Sequence, residues 1–146
     1  MQVSSVDPPA EKPVHASRRV GDASPIGELR HALLDLHKAL LSAQRIRYER
    51  EHGRVESSGK FLELVIRHPA FEWIRALSTL IARLDGWCDS AETGKEEELA
   101  GLKQALRTLL RPEGRNRLFT APYWMLVEAV PDVLVAHVKL WRLLAR

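Results

Sequence analysis

The sequence predicts an all-α protein, a compact bundle of five to six helices over residues 25–146 with a disordered N-terminal tail over 1–24. Three observations predict it. Apolar residues recur at alternating three- and four-residue steps through most of the chain, the pattern of one-sided helices. No stretch of any length alternates apolar and polar residues with period two, as a half-buried strand would. Serines, threonines and prolines stand where such helices would start, and glycines where they would stop. A chain of 146 residues, 45% hydrophobic and 28% charged, fits one soluble domain. At that size roughly 68–70% of the unfolded surface can be buried without help from metal or disulfide.

The tail, residues 1–24, holds Pro8, Pro9 and Pro13 in a polar Ser/Asp/Gly background, and too few apolar groups to offset the entropy of ordering. Helix one opens at Ser24, an N-cap type, with Pro25 at the first helical position. Ile26, Leu29, Leu33, Leu36 and Leu40 then form a seam, widened by Leu34, Leu41 and Tyr48, and Gly53 is the expected stop after His52. Phe61, Leu62, Leu64, Val65 and Ile66 make a short second helix. It ends at His68 because Pro69 disfavours helical geometry in the residue before it.

Helix three, from Pro69, has the widest apolar face. One row is Ile74, Leu77, Ile81, Leu84 and Cys88, and a second is Trp73, Leu80 and Trp87. Thr93 and Glu96 match a capping box at the start of helix four, which turns Leu99, Leu102, Leu106 and Leu109 inward. Pro112 and Gly114 close it. Thr120 caps a short helix opened by Pro122, Val130–Pro131 breaks it, and the last helix carries Leu134, His137, Trp141 and Leu144 on one face.

Composition limits the chemistry. The single cysteine, Cys88, excludes an internal disulfide and any zinc site built on cysteine pairs. No run approaches the ~20 apolar residues of a membrane span, and residues 1–24 contain no apolar core of a secretory signal. These features lead to the expectation of a cytoplasmic protein. Net charge is only +3, with 16 arginines against 6 lysines and no long block of one sign. Two arginine groups stand out: Arg45, Arg47, Arg50 and Arg54, and Arg111, Arg115 and Arg117. Both fall at helix C-termini, where cations offset the helix dipole. The other reading, a joint surface for nucleic acid, lacks the interleaved aromatics of single-strand binders and is the weakest of the three functional readings.

Individual residues read as follows. Glu28–His31 and Glu49–His52 have the Glu-x-x-His spacing of di-iron bundles. They lie about 31 Å apart on one helix, off the leucine seam, so no shared metal is expected. Gly53 to Lys60 imitates a phosphate loop, but five residues separate its glycines, Phe61 replaces the magnesium-binding hydroxyl, and no strand precedes it. Cys88, beside Asp85 and Asp89, reads as a buried thiol before a nucleophile. His137, one turn from Leu134 and Trp141, faces the interior, either as a core residue with one hydrogen-bond partner or as a ligand contact. In the second case His137, Trp141, Trp73 and Trp87 would line a pocket. No motif supports an enzyme, and no cofactor or metal is expected.

Leu36-His37-Lys38-Ala39-Leu40-Leu41 with Tyr48-Glu49, and His68-Pro69-Ala70-Phe71-Glu72-Trp73-Ile74-Arg75 with Leu77-Ser78, resemble a group of small uncharacterised bacterial helical proteins, a domain of unknown function. The likeness spans about residues 28–146. It implies a bacterial, cytoplasmic setting and no particular activity.

The segment Tyr123 to Val130 carries one charge in eight residues, so it needs helices on every side or a partner. With helix three taken as the central helix, Tyr123, Trp124, Met125 and Val127 become candidate interface residues. The functional expectation is therefore a protein-interaction or self-association module, with a homodimer as one form. The alternative is a small-ligand sensor or enzyme using the tryptophan- and histidine-lined pocket.

Overall fold

The computed structural model describes residues 24–89 and 95–146. Seven helices follow one another: α1 (Pro25–His52), α2 (Ser58–Arg67), α3 (Pro69–Glu72), α4 (Arg75–Asp89), α5 (Lys95–Leu110), α6 (Arg117–Ala129) and α7 (Pro131–Leu144). No strand occurs among the described residues, and the chain is all-α. The tail expected before Ser24 and the capping residue Thr93 lie outside the described residues.

α1 forms where its local signals place it. Ser24 caps it by accepting from the Gly27 N–H at 3.0 Å, and Pro25 follows as the first helical residue. Gly53, at φ 88°, takes the left-handed geometry that stops the helix. The buried face is Leu29, Ala32, Leu33, Leu36, Leu40 and Ala43. α3, α4, α6 and α7 all pack on α1, and α7 does so most extensively. α1 and not helix three is therefore the central helix.

The seventh helix comes from a break that the apolar rows conceal. The expected helix from Pro69 divides at Trp73–Ile74, where the Ile74 and Leu77 amides bond three residues back, to Phe71 and Ile74. These tighter bonds turn the chain so that Phe71 and Ile74 are both buried while α4 sets off with Leu77, Leu80, Ile81 and Leu84 inward.

Two further boundaries differ from expectation. α6 starts at Arg117 with Asn116 as its cap, so Thr120 is a buried first-turn residue whose hydroxyl donates to the Asn116 carbonyl at 2.5 Å. Pro122 then lies inside the helix and forfeits only the bond to the exposed Leu118. On α5 the inward row is Leu102, Leu106 and Leu110, with Leu99 and Leu109 half-buried. α6 and α7 meet at 113° across Val130, held extended by Pro131. Among the described residues no single helix is long and apolar enough to cross a membrane.

Polar ties lock the outer helices. Arg107 of α5 donates to the Leu144 carbonyl from both Nε (2.9 Å) and Nη2 (2.5 Å), covering the open end of α7. Gln44 of α1 donates to the Ala70 carbonyl of α3 at 2.8 Å. Fully buried Leu77 and Leu84 should each cost about 2–5 kcal/mol when cut to alanine. Leu118, 83% exposed, should stay within about 0.5 kcal/mol. Urea unfolding of Leu77→Ala, Leu84→Ala and Leu118→Ala checks this ordering, and equal midpoints for the three would refute the core assignment.

Candidate functional site

Two regions compete for a functional role: an interior aromatic cluster and the outer face of the α1–α7 pair. The bend at Val130 creates the first by folding α6 back along α7. Tyr123 of α6 and His137 of α7 are both buried, and the phenol oxygen lies 2.6 Å from Nδ1 of the imidazole. The Trp124 ring meets His137 edge-on at 4.9 Å, and Trp141 stacks on it at 6.1 Å. Phe119 stacks on Tyr123 at 5.0 Å, and Trp73 leans on Phe119 at 5.6 Å.

Burial raises the Tyr123 phenol far above its ordinary range and lowers His137 below the ordinary imidazole value. Both groups are therefore neutral at neutral pH. The phenol oxygen and Nδ1 share one hydrogen bond, its direction set by the imidazole tautomer. Such a pair satisfies two polar groups inside an apolar core without placing a charge there. It supplies neither a phenolate nor an imidazolium.

His137, Trp141 and Trp73 thus belong to one connected series of rings. Trp87 is half-buried in the last turn of α4. His137 and Trp141 line none of the grooves described among these residues, whereas Trp73 and Phe119 wall a shallow one of about 480 Å³ beside Glu72 and Leu118. His137 faces the interior with Tyr123 as its hydrogen-bond partner, as the sequence predicts.

The interface candidates on α6 divide. Tyr123 and Val127 are buried, at 0% and 3% exposure, and Trp124 is half-buried against His137. Only Met125 is exposed. Tyr123 and Val127 cannot reach a partner because α1 and α7 already cover that side of α6. Leu134 also departs from expectation. The inward face of α7 is Val133, Ala136, His137, Leu140 and Leu144, and Leu134 points outward at 46% exposure.

The outer face is the second region. α1 and α7 run antiparallel, with Glu28 at one end of α1 bridging Arg146 at the far end of α7 at 3.6 Å. Between them lies a trough of about 910 Å³, floored by Leu134, Val135, Val138 and Leu143 and edged by His31, Lys139 and Arg142. A second trough of about 400 Å³ continues it along α1 past Ala39 to Ile46 and shares Val135 and Lys139. The exposed apolar groups are contiguous. A sequence signal for this face existed: Val133-Leu134-Val135-Ala136 is apolar four times in succession, more than one buried face needs.

The remaining candidates are occupied or scattered. Glu49 accepts from the Val55 amide at 2.8 Å, and no group of three metal-binding side chains occurs among the described residues. His68 accepts from the Ala70 amide at Nδ1 (3.1 Å), so its proton sits on Nε2 and leaves no lone pair for a metal. Arg45 lies over the Phe61 ring and donates to the Val55 carbonyl. Arg111, Arg115 and Arg117 are exposed, and Cys88 is half-buried. Comparison of the chain with protein-family models, curated proteins and solved structures finds no match in any of the three.

The polar interior predicts a pH response. His37, 2.8 Å from the Ser78 hydroxyl, is also held below the ordinary imidazole value by burial. With folded pKa values below the unfolded one, both histidines contribute fully above about pH 6.5. That contribution is lost as pH falls through the depressed folded values. Thermal melts should show stability declining from pH 7.5 towards 5, and His137→Gln should decline less steeply. A pH profile unchanged by His137→Gln would contradict the assignment. At neutral pH Tyr123→Phe, which leaves Nδ1 buried without its partner, should cost about 1–3 kcal/mol.

Proposed function

We propose that this protein is an interaction module that docks another protein chain, or another copy of itself, on the outer face of the α1–α7 pair. One observation carries the reading: Leu134, Val135 and Val138, at 46%, 67% and 36% exposure, form an unbroken apolar strip beside Ile46 at 53%. Such contiguous strips rimmed by polar groups mark interaction surfaces, whereas isolated exposed leucines do not. A groove between two parallel-sided helices suits an amphipathic helix laid along it. His137 is buried against Tyr123, Trp124 and Trp141, which favours a docking role over a small-ligand site at that histidine. The resemblance to small bacterial helical proteins supports a bacterial, cytoplasmic setting, and the reading assigns no catalytic step.

A photo-reactive amino acid placed at Val138, with a control at the exposed Glu97 of α5, tests the reading in cells expressing the full chain. Irradiation should give a cross-linked species of discrete mass from position 138 and none from position 97. No species from position 138, or the same species from both, would overturn it.

A further inference from the structure

We propose that the occupant of this face is a second copy of the chain, docked with its α7 antiparallel to the first about a two-fold axis passing near Val135 and Val138. The inference rests on the reading of the α1–α7 face as an interface and adds the identity of the partner. Its basis is the order of charges along α7. Asp132 stands in the first turn, Lys139 and Arg142 in the last two, and the exposed Val135 and Val138 lie between them. Turning a second α7 end for end brings its Lys139–Arg142 turn opposite Asp132, and the reverse at the other end. Valine then meets valine at the centre. A parallel arrangement would instead set like charge against like charge. The strip is therefore complementary to itself in the isologous arrangement that two-fold dimers use.

The charges around the strip are available for this purpose. Glu28 and Arg146 pair with each other, and Arg30, Arg45 and Lys60 have carboxylate partners within the chain. Asp35, Lys38, Asp132, Lys139 and Arg142 form no ion pair in the described chain. Asp35 and Lys38 line the same continuous trough as Asp132 and Lys139, so both signs flank the apolar floor. That mixture disfavours a simple amphipathic anion such as a long-chain carboxylate. Its head group would find Arg142 and Lys139 at one end, but its tail would run past Asp132 and Asp35. Asp132 and Arg142 are about 15 Å apart along the helix, and an end-for-end copy repeats the same span, so both opposite-charge pairings form together.

The test uses the full chain in gel filtration with light scattering, from about 5 to about 500 µM, because dimer populations follow mass action. The wild type should move from the monomer mass of 16.6 kDa towards twice that value. Asp132→Lys and Arg142→Glu should each weaken association by at least about tenfold while retaining the wild-type circular dichroism, as like charges then face each other. An equimolar mixture of the two variants should restore the dimer, since in the mixed pair each substituted position faces the opposite sign. A wild type that stays at 16.6 kDa throughout, a dimer indifferent to both substitutions, or a mixture that fails to recover would each overturn the proposal. A strictly monomeric wild type that still cross-links from position 138 to a foreign chain would overturn self-docking and leave the interface reading standing. Loss of both signals would overturn the two together.

Discussion

α1 is the strut on which the other helices depend. Its 28 residues extend about 42 Å, and the row from Leu29 to Ala43 must be covered along that length. α3, α4, α6 and α7 supply the cover. None of them is long enough to do so alone, and each is apolar on the side that meets α1. The fixed caps at Ser24 and Gly53 matter for the same reason. They set where the strut begins and ends, and therefore how many helices can line up on it. α7 takes the largest share because it lies antiparallel to α1, which leaves its opposite side facing out.

What was legible in the sequence followed from locality. Ser24 with Pro25, the stop at Gly53 and the break at Val130–Pro131 each involve neighbours a few residues apart, and each appears as expected. The places that resisted are those where two local solutions are nearly equal and distant packing chooses. Asn116 and Thr120 are both good caps, and the choice falls to Asn116 because Thr120 is drawn into the core. The apolar rows of α3 and α4 read continuously through Trp73, but burying both Phe71 and Ile74 requires the turn between them. On α7 both Val133 and Leu134 could begin an inward row. Only the position of α1 decides for Val133.

The candidate site was legible to a similar depth. That His137 faces inward with a single partner follows from its place on the apolar side of α7. That the partner is Tyr123, fourteen residues away, follows only from the 113° bend that brings α6 alongside. The core carries other polar groups less well satisfied: Gln44 Oε1, Trp73 Nε1 and Trp124 Nε1 are buried without hydrogen-bond partners. Each such group costs about 1–3 kcal/mol. Two of the three belong to the ring series itself. Its tryptophans therefore contribute through apolar area and ring packing, and the neutral Tyr123–His137 pair is its only internal hydrogen bond.

The outer face of α7 raises a different question, because nothing among the described residues requires it to be apolar. Val133, His137, Leu140 and Leu144 already join α7 to the bundle, and lysine or glutamate at 134, 135 and 138 would leave that contact intact. Leu62 and Ile66 on α2 are exposed apolar residues too, and they line neither trough beside α7. The α7 strip differs in being continuous with a trough shared by two helices and in having charges of opposite sign at its two ends. Folding of one chain explains the inner half of α7. The outer half has no such explanation among the described residues, and a contact beyond the fold is what the proposed interface would supply.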